Sequence, residues 1–151
     1  MNDWKNVLVA VADTPTSNKG LEYAANILGQ LEGVQTCLLH IYPEPPPDYY
    51  SSGGSLADYK EQQHTTAAAL LDRSTAVRID FVLPEQAISR DIQMAEQKTI
   101  SQTILDVQEE GKFGTVVVGK RGLSKAEEFL FGSISNALVH HTRNCTVWVV
   151  G

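Results

Sequence analysis

Asn6-Val7-Leu8-Val9-Ala10-Val11-Ala12 is the stretch whose reading decides the fold. After Asn6 it runs through apolar residues without polar alternation. A strand with one face in water alternates; a strand covered on both faces does not. The run therefore predicts a central strand with helices above and below it. Leu21, Ala24, Ala25, Leu28 and Leu31 then recur at helical spacing, with Thr16 and Ser17 placed as the helix cap. Thr36-Cys37-Leu38-Leu39-His40-Ile41-Tyr42 repeats the buried-strand pattern.

The same alternation carries on along the chain. Pro43 to Ser55, with Pro45-Pro46-Pro47 and Gly53-Gly54, reads as a loop. Ser52-Gly53-Gly54-Ser55 inside it follows a proline-rich stretch rather than the first strand, and reads as a flexible connection. Leu56, Tyr59, Ala67, Leu70 and Leu71 mark a second helix. Val77, Ile79, Phe81 and Leu83 alternate as a third strand ended by Pro84. Glu85 to Gln97 reads as a short helix or an inserted turn. It precedes a helix carrying Ile100, Ile104 and Val107, whose end Gly111 and Gly114 bracket. Thr115-Val116-Val117-Val118 is a fourth strand, and Gly119 to Gly132 a long loop. Ile134, Ala137, Leu138 and His141 lie on a last helix, and Thr146-Val147-Trp148-Val149-Val150 is a fifth strand.

Strands and helices in alternation imply parallel pairing through right-handed crossovers. The expected architecture is α/β: a three-layer sandwich with a five-stranded, parallel, doubly wound, Rossmann-like sheet and about four helices. Residues 1–151 form a single domain. A 2-1-3-4-5 strand order places the last strand at an edge, and ligands at the strands' C-terminal ends where the order reverses.

Composition narrows the function. The 151 residues are 42% hydrophobic and 20% charged, which excludes a disordered chain. A net charge of −6 argues against a nucleic-acid or anionic-membrane binder, since both need a basic face. It leaves a nucleotide open, because backbone N–H groups and a few local cations suffice for phosphate. The apolar runs are too short to span a bilayer. Met1 to Lys5 carries no secretory core, so a cytoplasmic protein is expected. Cys37 and Cys145 read as two thiols buried in strands. Neither a CxxC nor a metal-ligand spacing occurs.

The chemistry gathers at the predicted strand C-termini. Asp13 follows the first strand, Ile41 sits at the end of the second and Gly119 ends the fourth. Gly119-Lys120-Arg121-Gly122 is followed, nine residues later, by Gly132-Ser133-Ile134-Ser135. Gly119 and Gly122 permit a tight turn and close approach to a ligand. Ser133 is placed as the cap of the last helix, whose first-turn N–H groups and dipole favour an anion. Lys120, Arg121 and Lys125 add positive charge. His40 reads as a packed or hydrogen-bonded histidine rather than a catalyst, and His140-His141 as residues favoured at a helix C-terminus. The chain has no Walker A motif, Gly-x-Gly-x-x-Gly, carboxylate pair, nucleophile elbow or metal cluster, so no catalytic residue is assigned.

The spacing Gly-x2-Gly-x9-Gly-Ser, between a Val-Val-Val-Gly strand and a final helix and strand, resembles the nucleotide-binding signature of the universal stress protein family (UspA-like), ATP-binding subgroup. Val7 to Asp13 resembles the family's opening strand with its acidic residue. Leu38-Leu39-His40-Ile41 resembles its second strand, and Cys145 to Val150 its closing one. The resemblance implies an ATP-binding stress-response and signalling module, with Mg2+ accompanying the nucleotide. It places Asp13, the main chain at Ile41, Val118 and Gly119 at the nucleoside. Arg121, Gly122, Gly132, Ser133, Ile134 and Ser135 go to the phosphates. It further implies a homodimer and a protein partner that reads the bound state. The edge strand Cys145 to Val150, without charge or proline, is the expected dimer interface unless Glu85 to Gln97 folds over that edge. Two other readings use the same pocket: a slow ATPase or phosphotransferase, or a binder of another adenine nucleotide such as AMP. The sequence departs from the family at Thr14-Pro15, where a small turn is usual, at Gly20 inside the first helix, and at Thr146, where proline is common.

Overall fold

The computed structural model describes residues 1–74, 82–120 and 134–151. Its strands are β1 (Asn6–Ala10), β2 (Gln35–Pro43), β3 (Ile88–Ala95), β4 (Thr115–Gly119) and β5 (Thr146–Val150). Its helices among the described residues are α1 (Pro15–Leu28), α2 (Pro47–Ser51), α3 (Leu56–Ser74), α4 (Ile100–Glu110) and α5 (Ile134–His141), with a 3-10 turn at Glu85–Ala87. All five strands are parallel, in the order β3-β2-β1-β4-β5.

β1 is the central strand, as its unbroken apolar run requires. Val7, Val9 and Val11 point to one face, where Leu21, Ala24, Ala25 and Leu28 of α1 and Leu70 and Leu71 of α3 cover them. Leu8 and Ala10 point to the other, against Ile100, Ile104 and Val107 of α4 and Ile134 and Leu138 of α5. Two cores thus lie on the two faces of one sheet, the three-layer sandwich expected of this pattern.

Local chemistry fixes the helix ends. α1 begins at Pro15, whose missing N–H costs nothing at the first helical position. Its cap is Thr14, whose hydroxyl accepts from the Ser17 N–H at 3.2 Å. Thr16 and Ser17 therefore lie inside the helix rather than capping it. α4 opens with a reciprocal capping box between Thr99 and Gln102. The stretch expected to be loop holds the short helix α2, and Tyr59 of α3 donates its hydroxyl hydrogen to the Pro43 carbonyl at 2.7 Å.

Two expectations are corrected. The third strand is Ile88–Ala95, inside the segment read as a short helix or inserted turn; only Glu85–Ala87 is a turn. The expected strand residues Val77, Ile79 and Phe81 lie outside the described residues, and Leu83 is a buried core residue rather than a strand member. The reason is position. β3 is an edge strand, and its Ser89, Arg90, Asp91 and Gln93 break the apolar pattern of a covered strand. Accordingly the order is 3-2-1-4-5, not 2-1-3-4-5. β5 keeps an edge in either order, and the segment containing β3 sits at the opposite edge, where it cannot cover β5.

Candidate functional site

Strand order reverses at β1, which leads to β2 on one side while β4 arrives on its other side. The C-terminal ends of β1 and β4 are therefore where a doubly wound sheet is expected to place its ligand crevice. Three chain segments build it.

The first is the exit of β1. The last register pair between β1 and β2 is Ala10 with Leu39, after which the Val11 N–H donates to the Leu39 carbonyl at 2.8 Å. The Val11 carbonyl accepts from Nδ1 of His40 at 2.8 Å. The Ala12 N–H donates to Oγ of Ser17 at 2.7 Å, a buried bond. The chain then delivers Asp13 to solvent: its side chain is 82% exposed, with Arg73 of α3 3.9 Å from its carboxylate. With both partners exposed, this pair contributes about 0–1 kcal/mol and leaves the carboxylate available.

The second segment is the end of β2. In a parallel ladder, alternate residues turn both main-chain groups to the same neighbour. Ile41, two residues beyond Leu39, therefore turns its N–H and C=O toward the line of β1 past the end of the ladder. Its side chain is buried in the α4 and α5 core.

The third segment is the end of β4. Val118 is buried in the same core. Gly119 packs directly on the first turn of α1: a Cβ there would lie 2.8 Å from the Thr16 carbonyl carbon and oxygen and 3.0 Å from the Ser17 nitrogen. Glycine is what allows this approach. Beyond it, the Lys120 N–H donates to Val150 at 2.7 Å. The Lys120 carbonyl accepts from Oγ of Ser135 at 3.1 Å, which fastens the start of α5 to the end of β4.

The structure thus brings Asp13, Ile41, Val118 and Gly119 to one end of the sheet, with Ile134 and Ser135 at the N-terminal turn of α5. Ile134 is a core residue, so only its main chain can serve a ligand. Ser135 is buried, with its hydroxyl hydrogen directed at Lys120. Arg121, Gly122, Gly132 and Ser133 lie outside the described residues.

Three contributors were not assigned from sequence. Ser17 falls at the spacing of Leu21, Ala24 and Leu28, so its place on the buried face was legible. His40 stands next to Ile41 as the one polar side chain between buried apolar neighbours. Arg73 reaches Asp13 through tertiary folding alone, without a local signal.

A separate open groove of about 850 Å3 lies between α2 and α3, lined by Tyr49, Ser52, Gly54, Asp58 and Glu61 among others. Its two carboxylates are the wrong sign for a phosphate, so the crevice at the strand ends is the stronger candidate. Among the described residues no group of three His, Cys, Asp or Glu side chains is placed to hold a metal ion. No helix there is long and apolar enough to cross a membrane. Cys37 is buried and Cys145 half-buried, both as free thiols. Burial pushes both thiols up from the usual range, against a smaller lowering by a hydrogen bond to Ser89 and to Thr142 respectively.

Comparison with known proteins agrees with this architecture. Universal stress protein UspA from Lactobacillus plantarum superposes with a TM-score of 0.71 at 18% identity, covering 100% of both chains. A universal stress protein from Archaeoglobus fulgidus in complex with dAMP gives 0.61 at 18% identity over 100% of both chains. A universal stress protein in complex with cAMP gives 0.64 at 18% identity, covering 97% of this chain and 95% of that one. At such identity the likeness speaks for the fold alone. No match is found among curated protein sequences. The sequence profile of the universal stress protein family, however, matches residues 3–151, and with nearly the full length matched and the fold shared, the chain belongs to the universal stress protein family.

Proposed function

We propose that the chain is an adenine-nucleotide-binding module, with ATP as its ligand, that signals through its bound state. The observation that carries this reading is the convergence of Asp13, the main chain of Ile41 and Gly119 where the strand order reverses. Each suits one part of a nucleotide. An exposed carboxylate accepts from ribose hydroxyls or an adenine amine. An N–H and C=O presented side by side match the donor and acceptor on the adenine edge. A glycine with no room for a side chain keeps the backbone close to ribose and phosphate. The first turn of α5 aims its amides and the positive end of its dipole along the helix axis toward an anion. Arg121, Gly122, Gly132 and Ser133 are proposed to complete the phosphate cradle with Ile134 and Ser135. The structures with cAMP and dAMP in related folds support an adenine ligand.

Mg2+ is proposed to accompany the triphosphate. This ion keeps much of its coordination from phosphate oxygens and water, which suits a crevice whose one exposed carboxylate among the described residues is Asp13. The competing enzymatic reading asks for a residue that positions water or removes a proton near the γ-phosphate. The described crevice offers Asp13 alone, at the nucleoside end, and this favours holding over turnover.

The molecule is further proposed to form a homodimer through β5. Thr146 donates its N–H to Gly114, and Val150 accepts from Lys120. By alternation Val147 and Val149 turn their main-chain groups away from the sheet. Val149 is 42% exposed, so this edge offers both backbone groups and apolar surface to a second copy.

The test is to denature freshly purified protein and identify any released nucleotide by chromatography. ATP is then titrated calorimetrically into wild type and Gly132→Val. One nucleotide per chain and weaker binding by the variant are expected. Equal affinity would remove the phosphate assignment, and AMP or ADP alone would change the ligand.

A further inference from the structure

We infer that His40 is a positioning residue that keeps the main chain of Ile41 available to the nucleotide. The inference rests on the nucleotide reading above and adds how the adenine end of that site is made.

The register of β1 and β2 runs through five pairs, from Asn6 with Gln35 to Ala10 with Leu39. Continuing it would pair Val11 with His40. The bond completing that step would run from the Ile41 N–H to the Val11 carbonyl. The ladder stops short of it. Nδ1 of His40 donates to the Val11 carbonyl instead, at 2.8 Å. A carbonyl has no hydrogen to give, so Nδ1 must carry the proton, and the bond fixes that tautomer. A side chain thus replaces the ladder bond that the Ile41 amide would have made.

Two consequences follow. The chain at Asp13 and the end of β2 at Ile41 remain joined, because His40 adjoins Ile41 in β2 while Val11, the first residue past β1, stands two residues before Asp13. The Ile41 N–H is meanwhile kept out of the sheet, on the side where the crevice opens. Ser17 fixes the next donor in line, Ala12 N–H, from α1. Past the last main-chain bond to β2, from the Val11 N–H to the Leu39 carbonyl, the exit of β1 is therefore held by side chains of two different elements.

A histidine serving only to fill space would present a different pattern. Its flanking residues Leu39 and Ile41 are 0% and 3% exposed, and His40 itself is only half-buried. An aliphatic residue fills such a place equally well but lacks the donor.

The test compares three variants with wild type, using ATP as the probe. His40→Asn places an amide nitrogen close to where Nδ1 stands and keeps the donor. His40→Gln moves the amide one carbon further out, and His40→Leu removes it. Calorimetry should show Asn near wild type, with Gln and Leu weaker by about tenfold, the effect of one lost hydrogen bond on a prearranged site. In ligand-free protein, hydrogen exchange at the Ile41 amide should be fast in wild type and Asn and slowed in Leu, as the amide joins the ladder. Nitrogen NMR should find Nδ1 of His40 protonated. If Leu does not fold, the contrast of Asn with Gln reads the same point. Wild-type binding with equal affinity in all variants would overturn the role of His40 alone. A wild type that binds no adenine nucleotide would overturn the nucleotide reading and this inference with it. An Ile41 amide already protected in wild type would overturn the inference whatever the affinities.

Discussion

Gly119→Ala is the smallest change that tests whether the crevice depends on the packing of α1 against β4. The added Cβ would lie 2.8 Å from the carbonyl carbon and oxygen of Thr16, against the 3.4 Å at which ordinary contact begins. The shortfall of 0.6 Å is large because both opposing atoms are main chain in the first turn of a helix. They cannot rotate away as a side-chain tip would. Either α1 shifts off β4, or β4 ends early. Overpacking of this kind costs about 1–3 kcal/mol. For a chain of this length that corresponds to a loss of roughly 2–12 °C in Tm. Because α1 carries Ser17, which holds Ala12 beside Asp13, the displacement also reaches the nucleoside end, and ATP affinity should fall. Gly20→Ala is the matched control. Its Cβ meets the Gly119 nitrogen at 3.5 Å, an ordinary contact, and alanine in a helix interior gains up to about 1 kcal/mol over glycine. Thermal melts and ATP calorimetry on both variants decide the matter. A Gly119→Ala protein as stable as Gly20→Ala, with wild-type affinity, would refute the packing argument.

The remaining predictions concern turnover, assembly and a buried thiol. ATP hydrolysis by the purified protein should fall below about 1 s⁻¹, the low end for typical enzymes, and faster release of phosphate would favour the enzymatic reading. Val147→Pro deletes an outward-facing N–H and Trp148→Glu puts a charge beside the edge, so light scattering on a sizing column should show wild type as a dimer and both variants as monomers. A wild-type mass of 16.5 kDa at micromolar concentration would refute the dimer. Burial raises the pKa of the Cys37 thiol above the usual thiol range. Its neutral form is favoured by folding, so that contribution is full below the unfolded thiol's pKa and is lost as pH rises through the higher folded value. Native protein at pH 8 should accordingly resist alkylation at Cys37, and labelling as fast as in denaturant would contradict the burial.

The sequence was most legible where burial is uniform. β1, β2 and β4 are covered on both faces, and their apolar runs announced them. α1 and α4 were equally plain, because one stripe of each meets the sheet. The failures cluster at the rim. β3 has solvent on one flank, and Arg90 and Asp91 serve there as edge charges, with Arg90 donating to Asp72 of α3. A pattern search tuned to buried strands passes over such a segment and prefers the nearby alternation from Val77 to Leu83. The cap of α1 was misplaced by two residues because Thr14, Thr16 and Ser17 are all capping types. Which of them caps was decided by Pro15, which can only begin a helix. At the candidate site, Asp13, Ile41 and Gly119 were legible as strand ends. The hydrogen bonds that arrange them were not, since Val11 with His40 and Asp13 with Arg73 join residues remote in sequence.

The two edges of the sheet are treated in opposite ways, and the contrast bears on assembly. β3 carries arginine and aspartate, and an ion pair to α3 crosses it. Charges of this kind are how a sheet discourages a further strand. β5 has the same structural problem and none of the same protection: Thr146–Val150 contains no charge and no proline. Its inward residues are satisfied by β4 through Gly114 and Lys120, so pairing on the other side would not disturb the existing ladder. Trp148 is half-buried with Tyr23 of α1 against its ring at 6.3 Å, which braces the strand from one face, while Val149 on the other face remains open to water. An edge that is braced, uncharged and apolar fits strand-to-strand contact with a second copy better than it fits exposure. If the copies pair there, the Lys120 amide that holds Val150 also connects the interface to the end of β4 at Gly119. Nucleotide and neighbour would then act on the same short length of backbone.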